Sequence, residues 1–207
     1  MELEELEHLY NEQAYTEVIT QLDGWLQAHP ESTGGWQLLG LSLLEEAKNT
    51  SNKDLAIAVY LSAYDAFSKV LDLDSSYLQA RLNRAWIAVH EILDKEEEAL
   101  SDCEIIISSD NLEAISLALL YRFHLFLLKN ETASALNDML KYLDIISSLY
   151  TNNLPQLNTS RYECFIRIGD LYLNNNKQSA ALDHYKQAFA SNPFNKRLFS
   201  ILHLAYL

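Results

Sequence analysis

Histidine and cysteine are the residue types in this chain best suited to metal binding or nucleophilic catalysis. The six histidines are His8, His29, His90, His124, His184 and His203. No two of them stand four residues apart, the spacing that puts two ring nitrogens on one helix face. Cys103 and Cys164 form no CxxC pair, and no GxSxG, HExxH or glycine-rich phosphate loop occurs. We therefore expect a non-enzymatic protein with no catalytic residues, no metal and no cofactor.

The composition favours helices. The chain has 207 residues, of which 49% are apolar, so it can build a sizeable core. It contains only five glycines and three prolines. So few turn-forming residues argue against a β-fold made of many hairpins.

The charge is strongly acidic and unevenly distributed. The formal net charge is −14, which makes nucleic acid and anionic membranes poor partners. Residues 1–47 hold ten acidic side chains and no Lys or Arg, whereas residues 160–207 hold six basic and three acidic ones. This asymmetry suggests a basic protein partner near the N-terminus. A solvated acidic cap is the simpler interpretation.

The cysteines and the hydropathy pattern bear on the compartment. Cys103 and Cys164 lie in helical patterns, as expected for buried free thiols in a reducing environment. No secretory signal stands at the N-terminus, and no apolar stretch approaches the roughly 20 residues of a membrane span. We expect a cytoplasmic protein.

The stretch RIGDLYLNNNKQSAALDHYKQAFASNP, residues 167–193, places small and large residues at fixed positions. The small ones are Gly169, Ala181 and Ala188, and large ones such as Tyr172 and Tyr185 stand between them. This pattern is typical of two helices packed face to face, where a small residue marks each close approach.

With Phe165 added, the stretch reads F-x2-I-G-x2-Y followed by A-x3-Y-x2-A-x4-P. It resembles the tetratricopeptide repeat, a helix–turn–helix unit of about 34 residues. Gly169 and Ala181 are twelve residues apart, as in that family. The resemblance implies an all-α fold: an α-solenoid of antiparallel helix pairs that form a right-handed superhelix.

The same frame recurs in degenerate form along the chain. WQLLG supplies Trp36 and Gly40, with an insertion before Ala63. Phe123 replaces the usual small residue of the fourth repeat, which predicts looser or rearranged packing there. We expect a single domain over 1–207 with five repeats at about 1–33, 34–76, 77–111, 112–152 and 160–194. Residues 151–160 would be a connection in which Pro155 stops the preceding helix. Residues 195–207 would form a capping or unpaired helix.

The resemblance implies a concave groove, lined by the first helix of each pair, that binds a peptide or partner helix. Family offsets place the groove residues at Gln37, Leu41, Asn83, Trp86, His90, Tyr121, His124, Arg167 and Asp170. Trp86, Tyr121 and His124 would be the central anchors for the partner, although Trp86 could equally pack between repeats. The apolar groove positions, among them Leu120 and Leu127, suit an apolar helix, the chain's own tail or a second copy. The Lys, Asn and Arg clamp with which some relatives bind chaperone tails is not matched.

Three functions follow from these patterns. The first is a protein–protein interaction scaffold or adaptor that holds a peptide or protein partner in the groove. The second is an acidic inhibitor or immunity-type protein for a basic enzyme, with steeply salt-sensitive binding. The third is a self-assembling structural protein, a homodimer formed through the C-terminal helix.

Overall fold

The computed structural model describes residues 2–90 and 93–192, with only the backbone described at positions 90 and 93. Within these ranges the chain forms ten α-helices, a short 3-10 helix at Leu93–Lys95 and no β-strand. The α-helices are α1 (Leu3–Asn11), α2 (Tyr15–Ala28), α3 (Thr33–Asn49), α4 (Lys53–Leu73), α5 (Leu78–His90), α6 (Glu96–Ile107), α7 (Leu112–Leu128), α8 (Thr132–Leu149), α9 (Leu154–Asn174) and α10 (Gln178–Ser191).

Consecutive helices pack in pairs, giving five hairpins: α1–α2, α3–α4, α5–α6, α7–α8 and α9–α10. The hairpins divide into two compact units. The first unit ends at Ser108 and contains three hairpins, and the second begins at Ser109 and contains two. The repeat pattern alone indicates one domain and does not mark this division. The predicted helix at 195–207 lies outside the described residues.

Side chains cap several first and second helices where they begin. The Ser32 hydroxyl accepts the Gly35 N–H at 3.0 Å at the start of α3, and Asn52 and Asn111 cap α4 and α7 in the same way. Each cap satisfies one of the backbone donors that a helix start leaves without a partner. These caps fix where the helices begin, and so which faces they present.

The expected connection over residues 151–160 is wrong. Helix α8 ends at Leu149, and α9 already begins at Leu154, with Pro155 in its first turn. Proline suits this place because the first helical N–H groups need no intrahelical acceptor. The Asn153 side chain caps the helix by accepting the Gln156 N–H at 3.3 Å. Pro155 therefore starts a helix instead of stopping the one before it.

Three of the five hairpins share one turn. Gln13, Asn130 and Asn176 each adopt a positive φ of 64°, 58° and 58°, two residues after the first helix ends. In each turn the next residue donates its N–H five residues back, as in the bonds Ala14 N to Leu9 O, Glu131 N to Phe126 O and Lys177 N to Tyr172 O. This left-handed closure satisfies the last helix carbonyls. The second and third hairpins, where the sequence has insertions, lack it among their described residues.

The two helices of a hairpin meet through complementary side-chain sizes. At two places a glycine of the first helix faces an aromatic ring of the second: Gly40 lies against Phe67, and Gly169 against Tyr185. The fourth hairpin reverses this order. Phe123 of α7 is buried in a cluster that contains Ala135 and Met139 of α8. Of the two alternatives expected at Phe123, looser or rearranged packing, the structure shows the rearranged one: the aromatic ring stands on the first helix, and the space is filled.

Candidate protein-binding surfaces

The predicted groove residues fall on the first helices of hairpins in both units. The first unit holds Gln37 and Leu41 on α3, with Asn83, Trp86 and His90 on α5. The second unit holds Tyr121 and His124 on α7, with Arg167 and Asp170 on α9. The His90 side chain lies outside the described part of the structure. Each unit therefore has its own candidate surface.

Trp86 is half-buried at the centre of the surface in the first unit. Its ring lies 6.0 Å from the Tyr60 ring of α4, measured between centroids, and the Lys48 Nζ of α3 stands 5.5 Å from its centroid. Lys48 also pairs with Glu45 at 2.7 Å. Burial raises the pKa of Tyr10 on α1, and the negative charge of Glu45 raises it further. Side chains from α1, α3 and α5 thus adjoin one another along this surface.

Gln37 and Asn83 were expected to offer amides to a peptide backbone. Gln37 is only 8% exposed, and its Oε1 is buried without a hydrogen-bond partner among the described protein atoms. The Asn83 Oδ1 accepts from the Gln79 Nε2 at 3.1 Å, while its Nδ2 is buried and has no such partner. Leu41 is half-buried. Gln37 therefore presents little open surface, and its amide faces the interior of the unit.

In the second unit, α7 and α9 lie side by side. The Arg167 Nη1 lies 3.1 Å from the His124 Nε2, and its guanidinium carbon lies 5.8 Å from the centroid of the Phe123 ring. Arginine can only donate, so His124 accepts through Nε2 and carries its ring proton on Nδ1. Asp170 accepts the Tyr185 hydroxyl at 2.6 Å and so points toward α10. Arg167 and His124 form the polar centre of this surface.

The same two helices carry exposed leucines. We call them the leucine row: Leu117, Leu127 and Leu128 of α7, which are 41%, 37% and 52% exposed, and Leu173 of α9, which is 47% exposed. The opposite side of α7 is buried in the hairpin. Helix α7 is therefore apolar on both sides, a pattern that a helix packed on one side only does not need.

Sequence reasoning missed three ion pairs, which arginines form with two buried carboxylates. Arg84 binds Asp102 through two nitrogens, at 2.7 and 2.8 Å, and Arg81 binds the same carboxylate at 2.8 Å. Arg122 binds Asp138 through two nitrogens, both at 2.7 Å. Arg84 and Arg122 occupy the same place in their repeats, one residue before Ala85 and Phe123. That repetition is the signal from which the pairs could have been found.

These pairs join the first and second helices of their hairpins, and they leave little charge on the arginines for a ligand. Burial alone would lower the pKa of Arg84, but the hydrogen bonds and charge of Asp102 outweigh it and raise the pKa. The same burial raises the pKa of Tyr64, beneath Arg84, to about 12. The Cys164 thiol is also buried, and desolvation raises its pKa to about 12, so it is a poor nucleophile.

Within the described ranges, no three side chains of His, Cys, Asp or Glu converge to hold a metal ion. None of the described helices is both long and apolar enough to cross a lipid bilayer. The surfaces in both units consist of aromatic and aliphatic groups with a few polar ones, an arrangement suited to contact with another polypeptide.

No family model matches the sequence, and no curated protein matches it. The fold is that of tetratricopeptide-type helical repeats, which confirms the predicted all-α class, and it is shared with solved structures. MamA from Desulfovibrio magneticus RS-1 aligns over 92% of this chain and 93% of its own, with a TM-score of 0.70 and 12% identity. YrrB, described as a TPR protein with an unusual peptide-binding site, aligns over 98% and 89%, with a TM-score of 0.63 and 14% identity.

A third similar structure is TTC0263, a thermophilic TPR protein from Thermus thermophilus. It aligns over 99% of this chain and 96% of its own, with a TM-score of 0.51 and 16% identity. At such low identities these similarities establish the fold alone.

Proposed function

We propose that this protein is a non-enzymatic interaction scaffold that binds a protein or peptide through side chains on the first helices of its hairpins. In the first unit the binding side chains are those around Trp86 on α3 and α5. In the second they are those around His124 and Arg167 on α7 and α9. The remaining predicted contacts, Gln37, Leu41, Asn83, His90, Tyr121 and Asp170, stay part of this proposal. The proposed function involves no nucleic acid, membrane or cofactor.

The observation that carries the proposal is the set of large apolar side chains that the first helices leave uncovered. Trp86 is half-buried, and the leucine row is between 37% and 52% exposed. Exposed apolar side chains grouped on one face are typical of protein-interaction sites. Tryptophan is among the residues that contribute most to binding energy at such sites. The peptide-binding site named for YrrB lends support by analogy of fold.

A basic partner is favoured for the first unit by its charge. Residues 1–47 carry ten acidic side chains and no Lys or Arg, and Glu45 stands beside Lys48 next to Trp86. Such a surface attracts a basic partner at long range, and added salt weakens that attraction. The second candidate function, an acidic inhibitor of a basic enzyme, rests on the same charge. It predicts tight binding to one enzyme, in place of moderate binding to several peptides.

A display selection with random peptides against the full chain tests the proposal. Enriched peptides that bind the first unit should lose about tenfold or more in affinity to the Trp86→Ala variant. Trp25→Ala is the matched control, because Trp25 is also half-buried but lies on the second helix α2, stacked on His29 at 4.0 Å. Binders to the first unit should tolerate that change within about twofold. Thermal melts must show both variants folded.

Two results would contradict the proposal. The first is a selection that enriches nothing above a control without the protein. The second is a Trp86→Ala variant that binds every selected peptide normally while α7 and α9 variants also have no effect. Mass in solution addresses self-assembly: a particle twice the 23.7 kDa of one chain would favour a homodimer.

A further inference from the structure

We propose that the α7–α9 surface of the second unit binds an amphipathic helix that carries a row of leucine-like side chains and a carboxylate, and that Arg167 pairs with this carboxylate. The inference rests on the proposed function and names the chemistry of the partner for this surface.

Two leucines of the row, Leu117 and Leu128, share one face of α7 with His124. Leu117, Tyr121, His124 and Leu128 follow one another at spacings of four, three and four residues, which places them along one side of a helix. From Leu117 to Leu128 the face is about 16 Å long, three turns of helix. After Glu113 the one residue of α7 with a permanent charge is Arg122. Its guanidinium is bonded to buried Asp138, so the face itself carries no charged group.

Arg167 is the cation that this face adjoins. No ion pair among the described residues involves Arg167, whereas Arg81, Arg84 and Arg122 all bind buried carboxylates. The acid nearest to it in sequence, Asp170, accepts the Tyr185 hydroxyl instead. The contacts of Arg167 are the His124 ring nitrogen and the face of the Phe123 ring, and neither supplies a negative charge. Its guanidinium is therefore ready to bind a carboxylate from outside the unit.

A helix suits this face better than an extended peptide. An extended strand brings backbone N–H and C=O groups that must find partners when they are buried. Leucine side chains offer none. A helix satisfies its backbone internally and presents only side chains, so it can cover the leucine row without losing hydrogen bonds. Side chains three and four residues apart on the partner would then pack between those of α7 and Leu173 of α9.

The carboxylate decides which helix is preferred. Covering the face removes water from Arg167, and an arginine that is desolvated without a carboxylate is unfavourable. A partner with Glu or Asp at the border of its apolar face offsets this desolvation by pairing with Arg167. A partner with Lys at the same position adds repulsion. The surface should therefore select for an acidic residue, opposite to the preference expected of the acidic first unit.

Two synthetic peptides of about 16 residues test this. Both carry leucines at i, i+3, i+4, i+7 and i+11, are capped at both ends and labelled with a fluorophore, and differ in one border residue, Glu or Lys. We expect the full chain to bind the Glu peptide about tenfold more tightly than the Lys peptide in fluorescence anisotropy. Charge reversal in Arg167→Glu should invert this preference, and Arg167→Gln should abolish it.

Matched leucine variants locate the binding site. The double change Leu117→Ser and Leu128→Ser should weaken binding of the Glu peptide about tenfold or more. Leu140→Ser is the control, because Leu140 lies on α8 of the same unit and is 42% exposed, close to the 41% of Leu117. It should change affinity less than twofold. Since these leucines are exposed, both the double variant and the control should fold, and circular dichroism checks this.

Failure of this inference is distinguishable from failure of the proposed function. An unchanged Glu-to-Lys ratio in Arg167→Glu, or equal effects of the α7 and Leu140 variants, overturns the inference. If Trp86→Ala alone abolishes peptide binding, the scaffold stands but this surface is not the site. If the wild type is dimeric and the Leu117 and Leu128 changes make it monomeric, a second copy covers the row and the inference is overturned. If neither these peptides nor a display library yields a binder, both proposals fail.

Discussion

Gly169 of α9 lies directly against the ring of Tyr185 of α10. A Cβ atom added at Gly169 would come within 2.5 Å of the Tyr185 Cε1, closer than non-bonded carbons can approach. Gly40 and Phe67 have the same relationship in the second hairpin, at 2.6 Å. Glycine is therefore required at these places by the ring of the second helix, although glycine itself weakens a helix.

Gly169→Ala should lower the free energy of unfolding by about 1–3 kcal/mol, because the added methyl group overpacks a tight contact. Gly24→Ala is the control: Gly24 lies in α2 with nothing within 4 Å of its added Cβ. That change should raise the free energy of unfolding by about 0.5–1 kcal/mol, since alanine favours helix. Urea unfolding of both variants measures the difference. Equal effects of the two changes would contradict the packing argument.

The same contact shows how far the sequence specifies this fold. Gly169 and Ala181 could be identified from the sequence as small positions. An aromatic ring between the two helices of a hairpin leaves no room there for a larger side chain. The reversal in the fourth hairpin could not be predicted in this way. Phe123 breaks the pattern on one helix, and only the structure shows that Met139 opposite compensates. A sequence pattern constrains each position by itself, whereas packing depends on the combined size of the two side chains that face each other.

The turns give a second prediction. Gln13, Asn130 and Asn176 occupy the same left-handed position in three hairpins. Asparagine tolerates this conformation, whereas a longer side chain such as glutamine is strained there by about 1 kcal/mol. Gln13→Asn and Gln13→Gly should therefore raise the melting temperature. Asn176→Gln should lower it, and a melting temperature unaffected by all three changes would show that the turn conformation carries no strain.

The buried ion pair of Arg122 and Asp138 gives a third prediction, about stability. Asp138→Ala removes the carboxylate that two guanidinium nitrogens bind at 2.7 Å, and should lower the free energy of unfolding by about 3–5 kcal/mol. Asp144→Ala, at an exposed position of the same helix, should change it by less than about 0.5 kcal/mol. Replacing both partners with apolar residues, Arg122→Met together with Asp138→Leu, should recover most of the lost free energy of unfolding. A double variant no more stable than Asp138→Ala would contradict this account.

The buried ion pairs are among the features of the candidate sites that could not be predicted from the sequence. Arg122 and Asp138 are 16 residues apart on different helices, so no local pattern joins them. Asp170 fits the groove offsets, but Tyr185 replaces the phenylalanine typical of its position, and its hydroxyl needs an acceptor, which Asp170 supplies. Of the exposed leucines of α7 in the leucine row, only Leu127 was among the apolar groove positions expected from the sequence. That Arg167 forms no ion pair among the described residues could be seen only in the structure.

His184 gives a prediction about pH. Its ring stacks on Tyr172 at 5.3 Å and on Phe165 at 6.1 Å, and its Nδ1 is buried without a partner among the described atoms. Burial lowers the pKa of His184 below its ordinary 6.5, opposed only in part by the charge of Asp183. The unfolded chain therefore takes up this proton first as pH falls. Stability from the neutral ring is fully present above about pH 6.5 and declines below it, until the folded form is protonated as well.

His184→Phe isolates this contribution, because phenylalanine keeps the aromatic stack but cannot be protonated. The decline in melting temperature between about pH 7 and pH 5 should be smaller in this variant than in the wild type. His8→Phe is the control: His8 is largely exposed beside Glu12, at 3.5 Å, and its replacement should leave the contribution of His184 in place. If His184→Phe declines as steeply as the wild type, then other groups govern the acid sensitivity of the second unit, and the buried imidazole is protonated without loss of stability.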